Sequence, residues 1–360
     1  MQAVYSHLFS PWKLQNFPIA NRICVPPLVI YTWGDKSGRV TDKHLAHYQA
    51  LSHGGAGLVI QEATSVCPEG RITLDQLGIW EDGQIDGLRR IASILRGAGM
   101  PAIVQLSHAG LLGATPAYRV SPSGYSFTEN GETRTGRALS ADEIQVIAQR
   151  FIDGAKRALQ AGYDGVELHA SHGYLLSEFM NPAINRRTDA YRAEDLLLLR
   201  QILTGIRRET PPGFLLGVRM GVFEPDLATS LRNAQWLEGQ GVDFLDVYYG
   251  CDWQAERAAP AGYPFNPSIY GAKQIKQVVS VPVFAAYQIA SGPQAEAILA
   301  DTGIDMAVIG RGSLVNYTWG NDVRAGLDPG HCLDCALCMW KVAPDKCPGR
   351  LLLQKQRQAH

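Results

Sequence analysis

Short apolar runs alternate with amphipathic stretches along most of the chain. Ile23-Cys-Val-Pro26, Leu58-Val-Ile-Gln-Glu-Ala63, Ala102-Ile-Val-Gln-Leu106 and Gly165-Val-Glu-Leu168 open the series. Leu215-Leu-Gly-Val-Arg219, Phe244-Leu-Asp-Val247, Val283-Phe-Ala-Ala286 and Met306-Ala-Val-Ile-Gly310 complete it. Each run is short and almost continuously apolar, as a strand covered on both faces of a parallel sheet must be. Helical periodicity fills the gaps and is clearest over 139–159, where Ser140 and Glu143 form a capping-box signature ahead of the apolar positions. Ala161-Gly162 and Gln240-Gly241 stand just before the next strands, where a left-handed glycine ends a helix. Eight such alternations predict an α/β fold, the (β/α)8 TIM barrel.

Two stretches depart from the pattern. Residues 111–137, rich in Gly, Ser, Thr and Pro, form a long excursion after strand 3, on the face where barrel active sites lie, and predict a lid or small hairpin. The end of the chain is a short Cys-rich C-terminal tail, so the expected division is a barrel over 1–325 and an extension over 326–360. No linker or composition shift divides the chain earlier. With 46% hydrophobic residues in 360, a large core is available. The net charge of −1 and the absence of a basic stripe argue against nucleic acid and for a small-molecule partner. No run reaches the roughly 18 apolar residues of a membrane span. The expectation is a soluble cytoplasmic protein, with homo-oligomer formation left open. Of seven cysteines, Cys24, Cys67 and Cys251 are scattered while Cys332, Cys335, Cys338 and Cys347 crowd the tail, which is no secreted disulfide framework.

Candidate chemistry concentrates at the end of the fourth run. His169-Ala-Ser-His172-Gly-Tyr174 places two imidazoles and a phenol on one strand-to-turn junction. A His pair three apart serves a metal or a polarised carbonyl equally well, so a metal-dependent barrel hydrolase is one reading. The other strand ends offer Gln105, Arg219 and Gly310-Arg311, which bind amides and anions rather than metals. A Gly-Arg pair after the eighth strand suits a phosphate held by backbone N–H groups and a helix N-terminus. Glu167 and Asp246, on strands, are expected to pair with basic groups inside the barrel.

Over roughly residues 5 to 325 the chain resembles the Old Yellow Enzyme, or NADH:flavin oxidoreductase, family of FMN-dependent ene-reductases. The resemblance is carried by Asn21-Arg-Ile23, Tyr48, Gly57-Leu-Val-Ile, Gln105-Leu-Ser-His-Ala-Gly110, His169-Ala-Ser-His-Gly-Tyr-Leu-Leu-Ser-Glu-Phe179, Asn185-Arg-Arg-Thr-Asp189, Val218-Arg219 and Ile309-Gly-Arg311. It implies that Pro27, Ala63, Gln105, Arg219, Gly310 and Arg311 contact FMN. It also implies that His169 and His172 hold the carbonyl oxygen of an α,β-unsaturated substrate while Tyr174 supplies a proton, with Tyr31 lining the substrate pocket. NAD(P)H would be the electron donor and the activated C=C bond the acceptor.

Three features depart from the family pattern. Ala286-Tyr287-Gln288 replaces the usual Gly-Gly after strand 7, and a bulky Tyr287 is expected to obstruct backbone approach to the phosphate. Val29 replaces a polar neighbour of the flavin ring, which implies a lower potential. Cys332-x2-Cys335-x2-Cys338-x8-Cys347 resembles an iron–sulfur run, with a zinc site as the other metal reading. A flavin-binding electron-transfer protein using that tail is therefore the second functional reading.

Overall fold

In a computed structural model, residues 5–129, 131–251 and 258–358 are described. The eight expected runs become eight strands: β1 Ile23–Val25, β2 Leu58–Ser65, β3 Ile103–Ser107, β4 Gly165–Ala170, β5 Leu215–Val222, β6 Phe244–Tyr249, β7 Val283–Ala286 and β8 Met306–Val308. All pair in parallel with their sequence neighbours, and β8 returns to β1 through Ala307 opposite Ile23 and Val308 opposite Cys24, closing the barrel. Parallel strands need crossover connections, and the helices between them provide these.

The longest helix starts where its capping box predicts. Ser140 Oγ accepts the Glu143 N–H at 3.2 Å, and a Glu143 carboxylate oxygen accepts the Ser140 N–H at 2.8 Å, so Ala141–Gln160 begins with two of its orphan donors satisfied. Gly162 and Gly241 take φ of 87° and 78° past two helix ends, where a Cβ would be strained.

The floor of the barrel is plugged. An antiparallel hairpin of Trp12–Leu14 and Phe17–Ile19 brings Leu14 and Ile19 into one apolar cluster with Leu58, Ile103, Leu215, Phe244, Phe284 and Met306. Phe244 and Phe284 stack at 4.9 Å and Trp12 meets Phe284 edge-on at 6.1 Å. Filled below, the interior has room for ligand chemistry only at the C-terminal ends of the strands.

The excursion after β3 is a hairpin, as expected: Ser126–Glu129 pairs antiparallel with Glu132–Thr135, and Val120–Ser121 pairs with Arg137–Ala138 at its base. The tail packs back onto the barrel. Trp340, buried, faces Trp33 at 6.1 Å, His47 at 6.0 Å and Tyr317 at 6.4 Å, with the Arg350 guanidinium 4.8 Å from its ring centroid. Together with Ile30, Leu314, Val315, Cys347 and Leu353 it forms a satellite apolar cluster beside the mouth of the barrel.

Candidate active site

The turn after β4 is shaped by two successive left-handed residues, His172 at φ 61° and Gly173 at φ 70°. Histidine is among the few side chains that tolerate this region. The reversal lets Tyr174 N-cap a short helix, Leu175–Met180, while both imidazoles stay at the strand end. His169 Nε2 lies 3.0 Å from His172 Nδ1, and Ser171 Oγ is 2.9 Å from the same nitrogen. The Tyr174 ring sits 4.6 Å from that of His169. Burial, reinforced by the Arg219 charge, holds both imidazoles well below their ordinary value, so they are neutral near pH 7. His172 Nδ1 is thus engaged by both neighbours, and with the ring proton on Nε2 that nitrogen would be free to donate. Burial pushes the Tyr174 phenol up, which keeps its proton in place.

A polar layer lies inside the barrel below these rings. Gln105 Nε2 donates to Glu167 Oε1 at 2.7 Å, and Arg219 Nη1 is 3.2 Å from Asp246 Oδ2. Thus the two acids expected to meet basic groups divide: Asp246 meets Arg219, whereas the hydrogen-bond partner of Glu167 is an amide. The Arg219 guanidinium also lies 5.0 Å from the Tyr248 ring centroid, and its Nε is buried with no partner.

A cavity of about 380 Å³ opens above this layer. Pro27, His172, Arg219, Gly310 and Arg311 line it, so five residues singled out from the sequence converge on one space. His169 and Tyr174 join through their ring contacts with each other and with His172. Gln105 and Ala63 sit buried on the neighbouring strands β3 and β2. Tyr31, mostly buried, packs under the Lys341 ammonium at 5.5 Å, and burial pushes its phenol up.

Tyr287 and Gln288, where the obstruction is expected, both line the cavity. Their φ values of 119° and 53° are those a glycine pair would adopt, and the Asn266 side chain fixes the Tyr287 carbonyl at 2.7 Å. The Tyr287 ring lies 4.3 Å from that of Tyr249 and 5.6 Å from that of Tyr248, and the residue lines the cavity. Residues whose part in the wall the sequence reading missed are Tyr248, Gln288 and, from the tail, His331, Cys332 and Asp334. Asp334 pairs directly with Arg311. Only the Tyr-rich end of β6 gave a sequence signal; the tail residues gave none, because nothing local tells where an extension folds back.

The description "NADH:flavin oxidoreductase / NADH oxidase family" matches residues 7–329. This chain belongs to that family. Among its relatives is an NADPH dehydrogenase of Bacillus pumilus, 34% identical over 310 residues that cover 84% of this chain and 90% of the relative. An Old Yellow Enzyme homologue from Zymomonas mobilis superposes with a TM-score of 0.73 at 25% identity, covering 89% of this chain and 92% of that one. A 2-naphthoyl-CoA reductase gives a TM-score of 0.81 at 23% identity, and this chain spans 53% of its length. The family member described here is an oxidoreductase that uses FMN and NAD(P)H. Its cavity fits that cofactor: Gly310 has open space where a Cβ would meet only Pro26 at 3.4 Å and Leu28 at 3.9 Å, and Arg219 carries an unpartnered buried N–H at its edge.

Two further readings meet the structure here. No helix among the described residues is long and apolar enough to cross a membrane. All four tail cysteines line one small apolar space between Arg311, Leu314 and Trp340. They are free thiols, and among the described residues no three His, Cys, Asp or Glu side chains stand together as ligands for a metal ion.

Proposed function

We propose that this enzyme reduces activated C=C bonds of α,β-unsaturated carbonyl compounds, with His169, His172 and Tyr174 as its catalytic residues. Bound FMN supplies the hydride, drawn from NAD(P)H. One observation carries the reading: the His172 ring shares a single cavity with Arg219 and the Gly310-Arg311 turn while its Nδ1 is already engaged. A neutral N–H donor is thereby available to a carbonyl oxygen that gains negative charge at the transition state, an interaction worth roughly 3–4 kcal/mol. A substrate oxygen between the rings would replace the present His169–His172 hydrogen bond, freeing a second donor. Tyr174, protonated and packed on His169, supplies the proton for the α carbon. Gly310 and Arg311, at the start of the helix Arg311–Val315, would hold the phosphate, with Pro27, Ala63, Gln105 and Arg219 around the ring and Tyr31 towards the substrate.

Purified protein is expected to be yellow, to bleach anaerobically with NAD(P)H and to recover its colour on addition of 2-cyclohexenone. Protein that stays flavin-free after incubation with FMN would overturn the proposal. Recovery only with a one-electron acceptor would favour the electron-transfer reading, for which the specific observation is the four thiols around one space. Cys332, Cys335, Cys338 and Cys347 would then bind an iron–sulfur centre, or zinc in a structural role, and metal analysis of protein prepared without oxygen decides it. The free thiols suit a reducing compartment, and we place the enzyme in the cytoplasm.

A further inference from the structure

Four adjacent strands contribute one side chain each to the polar layer beneath the cavity. Gln105 stands opposite Glu167 across β3 and β4, and Arg219 stands opposite Asp246 across β5 and β6. None of the four is more than 4% exposed. The layer therefore holds two acids and one permanent cation in a space shut off from water by the plugged floor. The other titratable groups that face it add no positive charge. Cys24, on β1, is pushed up by burial and then by the charges of Asp246 and Glu167. His169 and His172, above, are held neutral by burial and by Arg219.

If both acids were ionised, one buried anion would lack a cation, and such a group takes up a proton instead. Geometry decides which. Asp246 Oδ2 has the guanidinium at 3.2 Å, an ion pair in which neither carboxylate oxygen makes a hydrogen bond. Glu167 has a neutral amide on Oε1 and no partner at all on Oε2.

We propose that Asp246 is the ionised counter-ion that sets how much positive charge Arg219 offers to the flavin, and that Glu167 is a neutral acid that orients Gln105. Both are positioning residues, since each acts through a neighbour. Burial raises both carboxyls: Asp246 rises against the opposing pull of Arg219, and Glu167 goes well above its usual range, with the charge of Asp246 raising it further. The inference rests on the FMN reading, because the field of Arg219 matters only if a ring lies beside it.

Glu167→Gln keeps the shape and charge of a protonated acid, whereas Asp246→Asn keeps shape but removes an anion. Sulfite adds to oxidised flavin and leaves negative charge on the ring, so its affinity reports the field there. In FMN-loaded protein, Asp246→Asn should bind sulfite about tenfold or more tightly, and Glu167→Gln should match wild type within about twofold. Equal tightening in both variants, tightening in Glu167→Gln alone, or no change in either overturns the assignment.

An infrared arm needs no flavin. The spectrum of wild-type apoprotein minus that of Glu167→Gln should show the loss of a protonated carboxylic acid band; loss of an ionised carboxylate band instead overturns it. This arm also decides the matter if Asp246→Asn fails to fold. Protein that binds no FMN would sink the flavin reading, while the infrared result would still settle the protonation of Glu167.

Discussion

Tyr174 is held between burial, which keeps its proton, and a tilted ring contact with His169 at 4.6 Å. Tyr174→Phe should leave anaerobic bleaching by NAD(P)H unchanged and slow the enone-driven return of colour by about 100-fold or more. Stopped-flow traces in which both halves slow equally would refute its role as proton donor. Tyr287 makes a different prediction. Its φ of 119° is strained for any residue with a Cβ, at a cost of about 1–3 kcal/mol. Tyr287→Gly releases that strain and Tyr287→Ala does not, so the glycine variant should melt higher than the alanine one. Thermal melts showing the usual order, alanine above glycine, would remove the strain argument. The contrast also marks the limit of reading residues from sequence. His169, His172, Arg219 and Gly310 were legible because unusual chemistry at a strand end has few structural uses. The path of Tyr287 was not, because a positive φ leaves no mark in a sequence that lacks glycine there.

The barrel strands and the long helix were legible for a physical reason: doubly buried strands and capped amphipathic helices each impose a period on the chain. The excursion hairpin followed from its length and turn residues. The tail was legible only in its cysteines, which point towards a metal, whereas its structural anchor is Trp340. That indole has Trp33, His47, Tyr317 and Arg350 around it and ties the extension to the segment after β1 and to the first long helix, Asp42–Ser52. Trp340→Ala should cost about 3 kcal/mol. Because His331, Cys332 and Asp334 complete the cavity wall, the same variant should weaken FMN retention, measured as flavin released on ultrafiltration. Retention equal to wild type, with the melting temperature lowered, would show the tail to be structural only.

Protonation couples the whole molecule to pH in two opposing ways. Burial lowers five histidines, taking His44 to about 4, His47 to about 3 and His108 to about 4, with His169 and His172 well below 6.5. As pH falls through 6.5 the unfolded chain takes up protons that the folded chain refuses, so this contribution to stability declines. Burial raises five carboxyls, Glu62 to about 8, Glu224 to about 7, Glu167 and Glu178 well above 4.5, and Asp246 above its usual value. Their contribution is full below their ordinary values and is lost as pH rises towards the folded values. Above 6.5 only the carboxyls act, and below it the imidazoles and the carboxyls oppose one another. Calorimetric melts should therefore fall as the pH rises from 6.5 towards 8. Glu62→Gln should lessen the fall towards pH 8; a melting temperature that climbs from pH 6.5 to 8 would contradict the account.

Closure of the barrel has a consequence for the order in which the enzyme is made. β8 must reach back to β1, and the 331–334 segment must follow it before the cavity has all its walls. Until β8 pairs, the chain therefore carries up to seven strands of an open sheet and no finished binding site. Cofactor loading belongs to the closed barrel, so when folding outruns the supply of FMN the surplus accumulates as folded, colourless protein that awaits its flavin.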